Sequence, residues 1–156
     1  AFIPFAKPNT ASISSNVKFG TLTGSEAGLT NAVNNALADA GMTIDDIDAV
    51  FGFANGMKAV DDVEIKGLTA VFGDKLAEKP VVELKEVLGE SRAAAATTAA
   101  AHAALMFAGK IPSQEAYSIA ADGSVSKTNV EASKLNNVLV VAYGAGGSYT
   151  AIVLSK

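Results

Sequence analysis

Residues that could do chemistry are sparse in this chain of 156 residues. It contains one histidine, His102, and no cysteine, so disulfides, thiolate zinc sites, a cysteine nucleophile and a site with two imidazoles are excluded within it. The 12 Lys and Arg residues are outnumbered by 16 Asp and Glu residues, giving a net charge of -4. Because no basic surplus exists to neutralise phosphates, we expect no nucleic-acid partner. We also expect no metal site and no cofactor.

Two features remain as candidates. His102 lies in an alanine-rich segment without an acidic or serine partner three or four residues away, so we expect a packed side chain rather than a catalyst. Gly144, Gly146 and Gly147 form a glycine-rich turn. This turn is not a dinucleotide-binding loop, because a strand rather than a helix is predicted after it.

Hydrophobic periodicity predicts an α/β fold that positions these residues. Helices are predicted from 23–26 to about 40, at about 60–72 and at 91–108, and strands at about 15–20, 48–54, 80–84, 138–143 and 149–154. Residues 114–135 are polar and are predicted to be irregular. The order βαβαβαββ indicates a mixed, mostly parallel sheet packed by helices, with an antiparallel final pair.

The helix predicted at 91–108 carries small side chains on all sides, since it is mostly alanine and threonine. A surface helix normally shows a polar face, so we expect this one to be enclosed on several sides. High helix propensity alone would also explain the alanines. Enclosure would require a partner chain or a further half of the fold.

Three segments, in order and spacing, make residues 23–156 resemble the C-terminal half of a β-ketoacyl-acyl-carrier-protein synthase of the thiolase superfamily. The segment from Ile47 to Gly56 lies where that family has a strand ending in Asn-Ala-His-Gly-Thr. Lys85 to Glu90 fits Lys-x-x-x-Gly-His, and residues 142–149 fit Ser-Phe-Gly-Phe-Gly-Gly-Thr-Asn. The resemblance implies a single thiolase-like domain over residues 1–156, with residues 1–22 matching poorly.

The departures from the family pattern are at its catalytic positions. The two family histidines, which stabilise an enolate, fall at Phe53 and Glu90, while the family lysine is kept as Lys85. Phenylalanine has no donor and an ionised glutamate only accepts. We expect Lys85 to pair with Glu90 or Glu64. The resemblance makes the glycine turn an acyl-site loop, although a plain hairpin turn explains it equally well.

Three functions follow from these residues. The first is a ketosynthase-like protein of fatty-acid or polyketide biosynthesis that no longer condenses and acts, like a chain-length factor, beside an active synthase. The second is an active but atypical condensing enzyme or acyltransferase, with Asn55 or Lys85 as substitute donor. The third is an α/β interaction module unrelated to acyl chemistry. By resemblance the partners are the other half of the fold or a ketosynthase-like chain, and acyl carrier protein.

No apolar run approaches the length of a membrane span, and residues 1–5 lack the features of a secretory signal. The sequence therefore predicts a cytoplasmic location. The resemblance to chain-length factors, which pair with an active synthase, implies a dimer.

Overall fold

The computed structural model describes residues 7–15, 25–90, 95–144 and 148–156. Its helices are α1 (Glu26–Ala40), α2 (Lys58–Phe72), α3 (Lys85–Leu88) and α4 (Ala95–Phe107). Its strands are β1 (Lys7–Ser15), β2 (Ala49–Phe51), β3 (Val81–Val82), β4 (Ser113–Ile119), β5 (Val125–Glu131), β6 (Asn137–Gly144) and β7 (Ser148–Ser155). Short 3₁₀ turns lie at Ile44–Asp46, Gly73–Glu78 and Ala132–Lys134.

The strands form one mixed sheet in the order β1-β7-β6-β2-β3-β4-β5. The predicted α/β class with a mixed sheet is confirmed. The predicted excess of parallel strands is wrong, because among the described strands only β2 pairs in parallel, with β6 and with β3, while the other pairings are antiparallel. The order of elements along the chain also differs from βαβαβαββ, because two helices and then four strands follow β3.

The main difference is the segment predicted to be irregular, which forms the β4–β5 hairpin. Its sequence is polar because β5 is an edge strand whose side chains are mostly exposed, with only Val130 buried. Alternation of apolar and polar residues was too weak there to predict a strand. The first strand is also displaced: it runs over Lys7–Ser15, and residues 16–20 lie outside the described part. Pro8 is tolerated because β1 is an edge strand with an irregularity between Pro8 and Thr10.

Helix α1 begins and ends as the sequence predicts. The Ser25 hydroxyl accepts a hydrogen bond from Gly28 N at 3.1 Å, and Gly41 closes the helix with φ 66°. Gly28 also allows close contact with β7, because a Cβ there would lie 2.7 Å from the Tyr149 ring. Helix α1 is thereby held against the sheet.

The helices cover both faces of the sheet. The core on one face joins α1 and α2 to the sheet through Leu29, Val33, Leu68, Phe72, Val141 and Tyr149, among others. On the other face α4 buries Ala99, Ala103, Met106 and Phe107. Along the described ranges, no helix is both long enough and apolar enough to cross a bilayer.

Helix α4 is covered on one side by the described residues. Thr97 and Ala101 are exposed, whereas Ala103 on the sheet side is fully buried. His102 is half-buried, its ring centroid lies 6.1 Å from that of Phe51, and burial lowers the pKa of its imidazole. This agrees with the expected packing role. The expected second cover of α4 stays a prediction.

Candidate functional site

The chain that leaves β2 is fixed by two acidic side chains of α2. The carboxylate of Glu64, which is 2% exposed, accepts hydrogen bonds from Phe53 N and Ala54 N, both at 2.7 Å. Asp61 Oδ1 accepts from Asn55 N at 3.0 Å. Three successive backbone amides therefore point at α2, and their positions define the end of the strand.

Phe53 sits in a cluster of aromatic rings at this end of the sheet. Its ring centroid lies 5.7 Å from that of Tyr143 and 6.3 Å from that of Tyr149, and the two tyrosine rings are 5.3 Å apart. Phe53 is 1% exposed. The Tyr149 hydroxyl accepts a hydrogen bond from Ser25 N, and burial raises the pKa of that phenol. Phe53, which the sequence resemblance sets against the first family histidine, is thus a packed hydrocarbon ring; that match itself stays a prediction.

Glu90, which the resemblance sets against the second family histidine, carries a paired carboxylate. Glu90 Oε2 lies 3.0 Å from Lys85 Nζ and accepts a hydrogen bond from Asn55 Nδ2 at 3.2 Å. Lys85 Nζ also donates to the Phe53 carbonyl at 2.7 Å, and Asn55 Oδ1 accepts from Met57 N at 3.1 Å. Glu90 and Glu64 were the two acids predicted to pair with Lys85, and the structure shows the ion pair with Glu90. Four predicted residues, Phe53, Asn55, Lys85 and Glu90, therefore lie together.

The glycine turn is described only in part. Gly144 ends β6 and pairs with Ser148 at the start of β7. A Cβ on Gly144 would lie 2.5 Å from the Ser148 hydroxyl, so a larger residue there would require that hydroxyl to turn away. Gly146 and Gly147 lie outside the described residues, and the acyl-site role of this turn stays a prediction.

A second buried carboxyl group, that of Glu83, was missed by the sequence reasoning. A Cβ built on Gly52 would lie 2.2 Å from Glu83 Oε1 and 2.8 Å from Glu64 Oε1, so the two acids converge on this glycine. The position of Glu83 beside Gly52 follows from the register of β2 and β3, which the sequence alone did not give. Phe51 pairs with Val82 in parallel, which places the next residues, Gly52 and Glu83, at the same edge of the sheet.

Burial raises the pKa of both carboxyl groups. Burial raises the pKa of Glu64 to about 7, although its hydrogen bonds from Phe53 and Ala54 act in the opposite direction. Burial, and then the charge of Glu64, raise the pKa of Glu83 well above its ordinary range. Glu83 accepts no backbone N–H in the described chain, so it is the member of the pair that keeps its proton more readily. Across those same residues no set of His, Asp and Glu side chains is arranged to hold a metal ion.

Comparison with known sequences relates this chain to one family. The family model described as "Beta-ketoacyl synthase, C-terminal domain" matches residues 9–118. A putative polyketide β-ketoacyl synthase 2 from Streptomyces coelicolor is 31% identical over 134 residues, which are 85% of this chain and 32% of that protein. Its counterpart from Streptomyces halstedii is 29% identical over 134 residues. The chain thus spans about 32% of the length of these curated relatives.

Solved structures share the fold. The ishigamide ketosynthase/chain length factor superposes with a TM-score of 0.80 at 23% identity, covering 96% of this chain and 37% of that one. An oxazolomycin ketosynthase domain from Streptomyces albus gives 0.77 at 19% identity, covering 96% and 29%. A ketosynthase in complex with its type II acyl-carrier protein gives 0.72 at 16% identity, covering 94% and 37%.

Proposed function

Because the chain belongs to the β-ketoacyl synthase family, as a C-terminal domain, we propose that it is part of a ketosynthase-like protein of polyketide or fatty-acid biosynthesis that does not itself condense acyl units. Its role is to support an active ketosynthase, as a structural or chain-length-determining partner. The observation that carries this proposal is the pair of side chains at the histidine positions. Phe53 is buried among tyrosines, and Glu90 is paired with Lys85.

Condensation by this family requires donors that stabilise a negative enolate oxygen. Phe53 offers none, and the ionised Glu90 would repel such an oxygen. Loss of one oxyanion donor typically lowers the rate by roughly 10²–10³, and here both are replaced. Lys85 does not substitute for them, because its ammonium already contacts the Phe53 carbonyl and Glu90.

An active atypical enzyme is less well supported. Asn55, the proposed substitute donor, turns its amide nitrogen to Glu90 and its amide oxygen to Met57 N. The other alternative, an α/β module unrelated to acyl synthases, is wrong, because the family model matches 9–118.

The partners are proposed from the same comparisons and from the exposed face of α4. Among the similar structures, one is a ketosynthase/chain length factor and another is an acyl-carrier protein in complex with its ketosynthase. We propose a ketosynthase-like chain and acyl carrier protein as partners, with the remaining part of the fold or a partner chain covering Thr97 and Ala101. The cytoplasmic location and the dimer stay predictions.

Reconstitution tests the supporting role. The full-length protein is co-expressed with each ketosynthase of its organism, and the complex mass and product chain length are measured. We expect a heterodimer in which Phe53→Ala, which removes a ring from the aromatic cluster, changes product length. The exposed control Lys134→Ala, close to the amino-terminal end of β6, should leave product length unchanged. A full-length protein that forms no heterodimer and makes the condensed product alone would overturn the proposal.

A further inference from the structure

The loop that leaves β2 contains a dipeptide with a chemistry of its own. Asn55 is followed by Gly56, whereas every other asparagine of the chain is followed by a residue with a Cβ. The side-chain carbonyl of an asparagine can be attacked by the backbone nitrogen of the next residue. A glycine at that position leaves the nitrogen open to approach, because it has no Cβ and is conformationally free. The sequence therefore sets one asparagine apart from the rest.

The structure leaves both residues accessible. Asn55 and Gly56 are exposed, so water reaches the side chain and the following amide. Gly56 has a φ of 81°, and nothing lies within 4 Å of the place that a Cβ would take there. Within the described ranges Gly56 N donates to no acceptor, so no hydrogen bond has to break before this nitrogen reacts.

A hydrogen bond orients the Asn55 side chain over this nitrogen. Asn55 Oδ1 accepts from Met57 N at 3.1 Å, which folds the side chain across Gly56 as in an Asx turn. The same donor faces the oxygen that gains negative charge when its carbon is attacked, as the donors of an oxyanion hole do. Asp61 Oδ1 holds the other end of the segment by accepting from Asn55 N at 3.0 Å. The carbonyl is thus both oriented and polarised.

We propose that Asn55 is a modification site at which the chain deamidates itself, with water as the only co-reactant. Gly56 N gives its proton to solvent and forms a bond to Asn55 Cγ. The bond from Cγ to Nδ2 breaks, and the nitrogen takes a proton from solvent and leaves as ammonia. Water then opens the succinimide ring at either carbonyl, which yields aspartate or isoaspartate at position 55. No acyl substrate or partner chain takes part, so this reaction is independent of the proposed supporting role.

The product alters the candidate functional site. Asn55 Nδ2 donates to Glu90 Oε2 at 3.2 Å, and a carboxylate at position 55 replaces this attraction by repulsion between two acids. Lys85, whose Nζ lies 3.0 Å from Glu90, then faces two carboxylates. Isoaspartate also inserts a methylene group into the backbone between positions 55 and 56. Deamidation therefore adds a negative charge to this loop and changes its path.

The experiment incubates the full-length protein at neutral pH and body temperature, and follows it by proteolytic peptide mapping with mass spectrometry and by released ammonia. We expect the peptide that contains Asn55 to gain the mass of an amide converted to an acid, as two isomers separable by chromatography, with one ammonia per converted site. Conversion should be at least about tenfold faster than at the internal control Asn129, which is also exposed but precedes Val130 in β5. Equal rates at the two asparagines would overturn the proposal.

A synthetic peptide of residues 53–62 measures the reaction without the fold. Because the folded loop orients and polarises the Asn55 carbonyl, we expect the protein to convert at least as fast as this peptide. Slower conversion in the protein would show that the fold protects Asn55, which contradicts the proposal.

Two substitutions of Met57 test the hydrogen-bond donor by itself. Met57→Ala keeps the backbone N–H and changes only a side chain that is 55% exposed, so the wild-type rate should persist. Met57→Pro removes the N–H, and the φ of -86° at Met57 is close to the proline range; we expect deamidation to be at least about threefold slower. Circular dichroism verifies that both variants are folded. Equal rates in the two variants would overturn the role assigned to Met57 N.

Discussion

The 53–54 backbone depends on one buried carboxylate, which makes Glu64→Ala a sharp test of how the site is held. In the wild-type chain Glu64 accepts two hydrogen bonds of 2.7 Å from Phe53 N and Ala54 N. Hydrogen bonds to a charged group contribute about 1.5–3 kcal/mol each. Removal of the carboxylate also removes the cost of burying its charge, so we expect a net loss of about 3 kcal/mol in local stability.

Amide hydrogen exchange in the full-length protein measures this loss at the two residues concerned. A change of about 3 kcal/mol corresponds to roughly hundredfold faster exchange at Phe53 and Ala54. The control is Asp62→Ala, on the same helix, because Asp62 is 42% exposed and pairs only with the exposed Lys58 among the contacts described; its cost should stay near 0.5 kcal/mol or below. Exchange within a few-fold of wild type in Glu64→Ala would refute the idea that this carboxylate holds the loop.

Three further substitutions test the packing and charge of the site. Because the folded state raises the pKa of Glu83, the wild-type chain loses stability as pH rises above the ordinary glutamate value; thermal melting should show Glu83→Gln to be more stable than wild type near pH 8.5 and unchanged near pH 4. Gly28→Ala places a Cβ 2.7 Å from the ring of the buried Tyr149, so denaturant unfolding should show a loss of about 1–3 kcal/mol. Asn55→Ala removes a hydrogen bond to Glu90 and should leave any acyl-transfer activity of the full-length protein unchanged; a loss of such activity would favour the active-enzyme alternative.

Much of the fold could be predicted because local signals were strong. Ser25 and Gly41 mark the ends of α1, and continuous apolar runs mark β2 and β6. The β4–β5 hairpin was not predictable in this way, since β5 buries a single side chain, Val130. Pairing with β4, rather than burial of an apolar face, makes this segment a strand.

The site shows the same division between local and long-range information. Phe53, Lys85 and Glu90 could be singled out from motif spacing, and the structure brings them together. Glu83 could not be singled out, because its importance depends on the parallel register that places it beside Gly52 and Glu64. A carboxyl group directly after a short strand looks solvated in sequence; the folded sheet leaves its Oε2 buried without a hydrogen-bond partner among the described residues.

The central claim is that this domain belongs to a protein without the enolate-stabilising donors of a condensing enzyme. Its most direct test is the release of carbon dioxide from malonyl-acyl carrier protein by the full-length protein alone, since decarboxylation needs those donors. Because both histidine donors are replaced, we expect no release of carbon dioxide above the uncatalysed background, even with saturating substrate. Release at a rate comparable to that of an active ketosynthase assayed in parallel would contradict it.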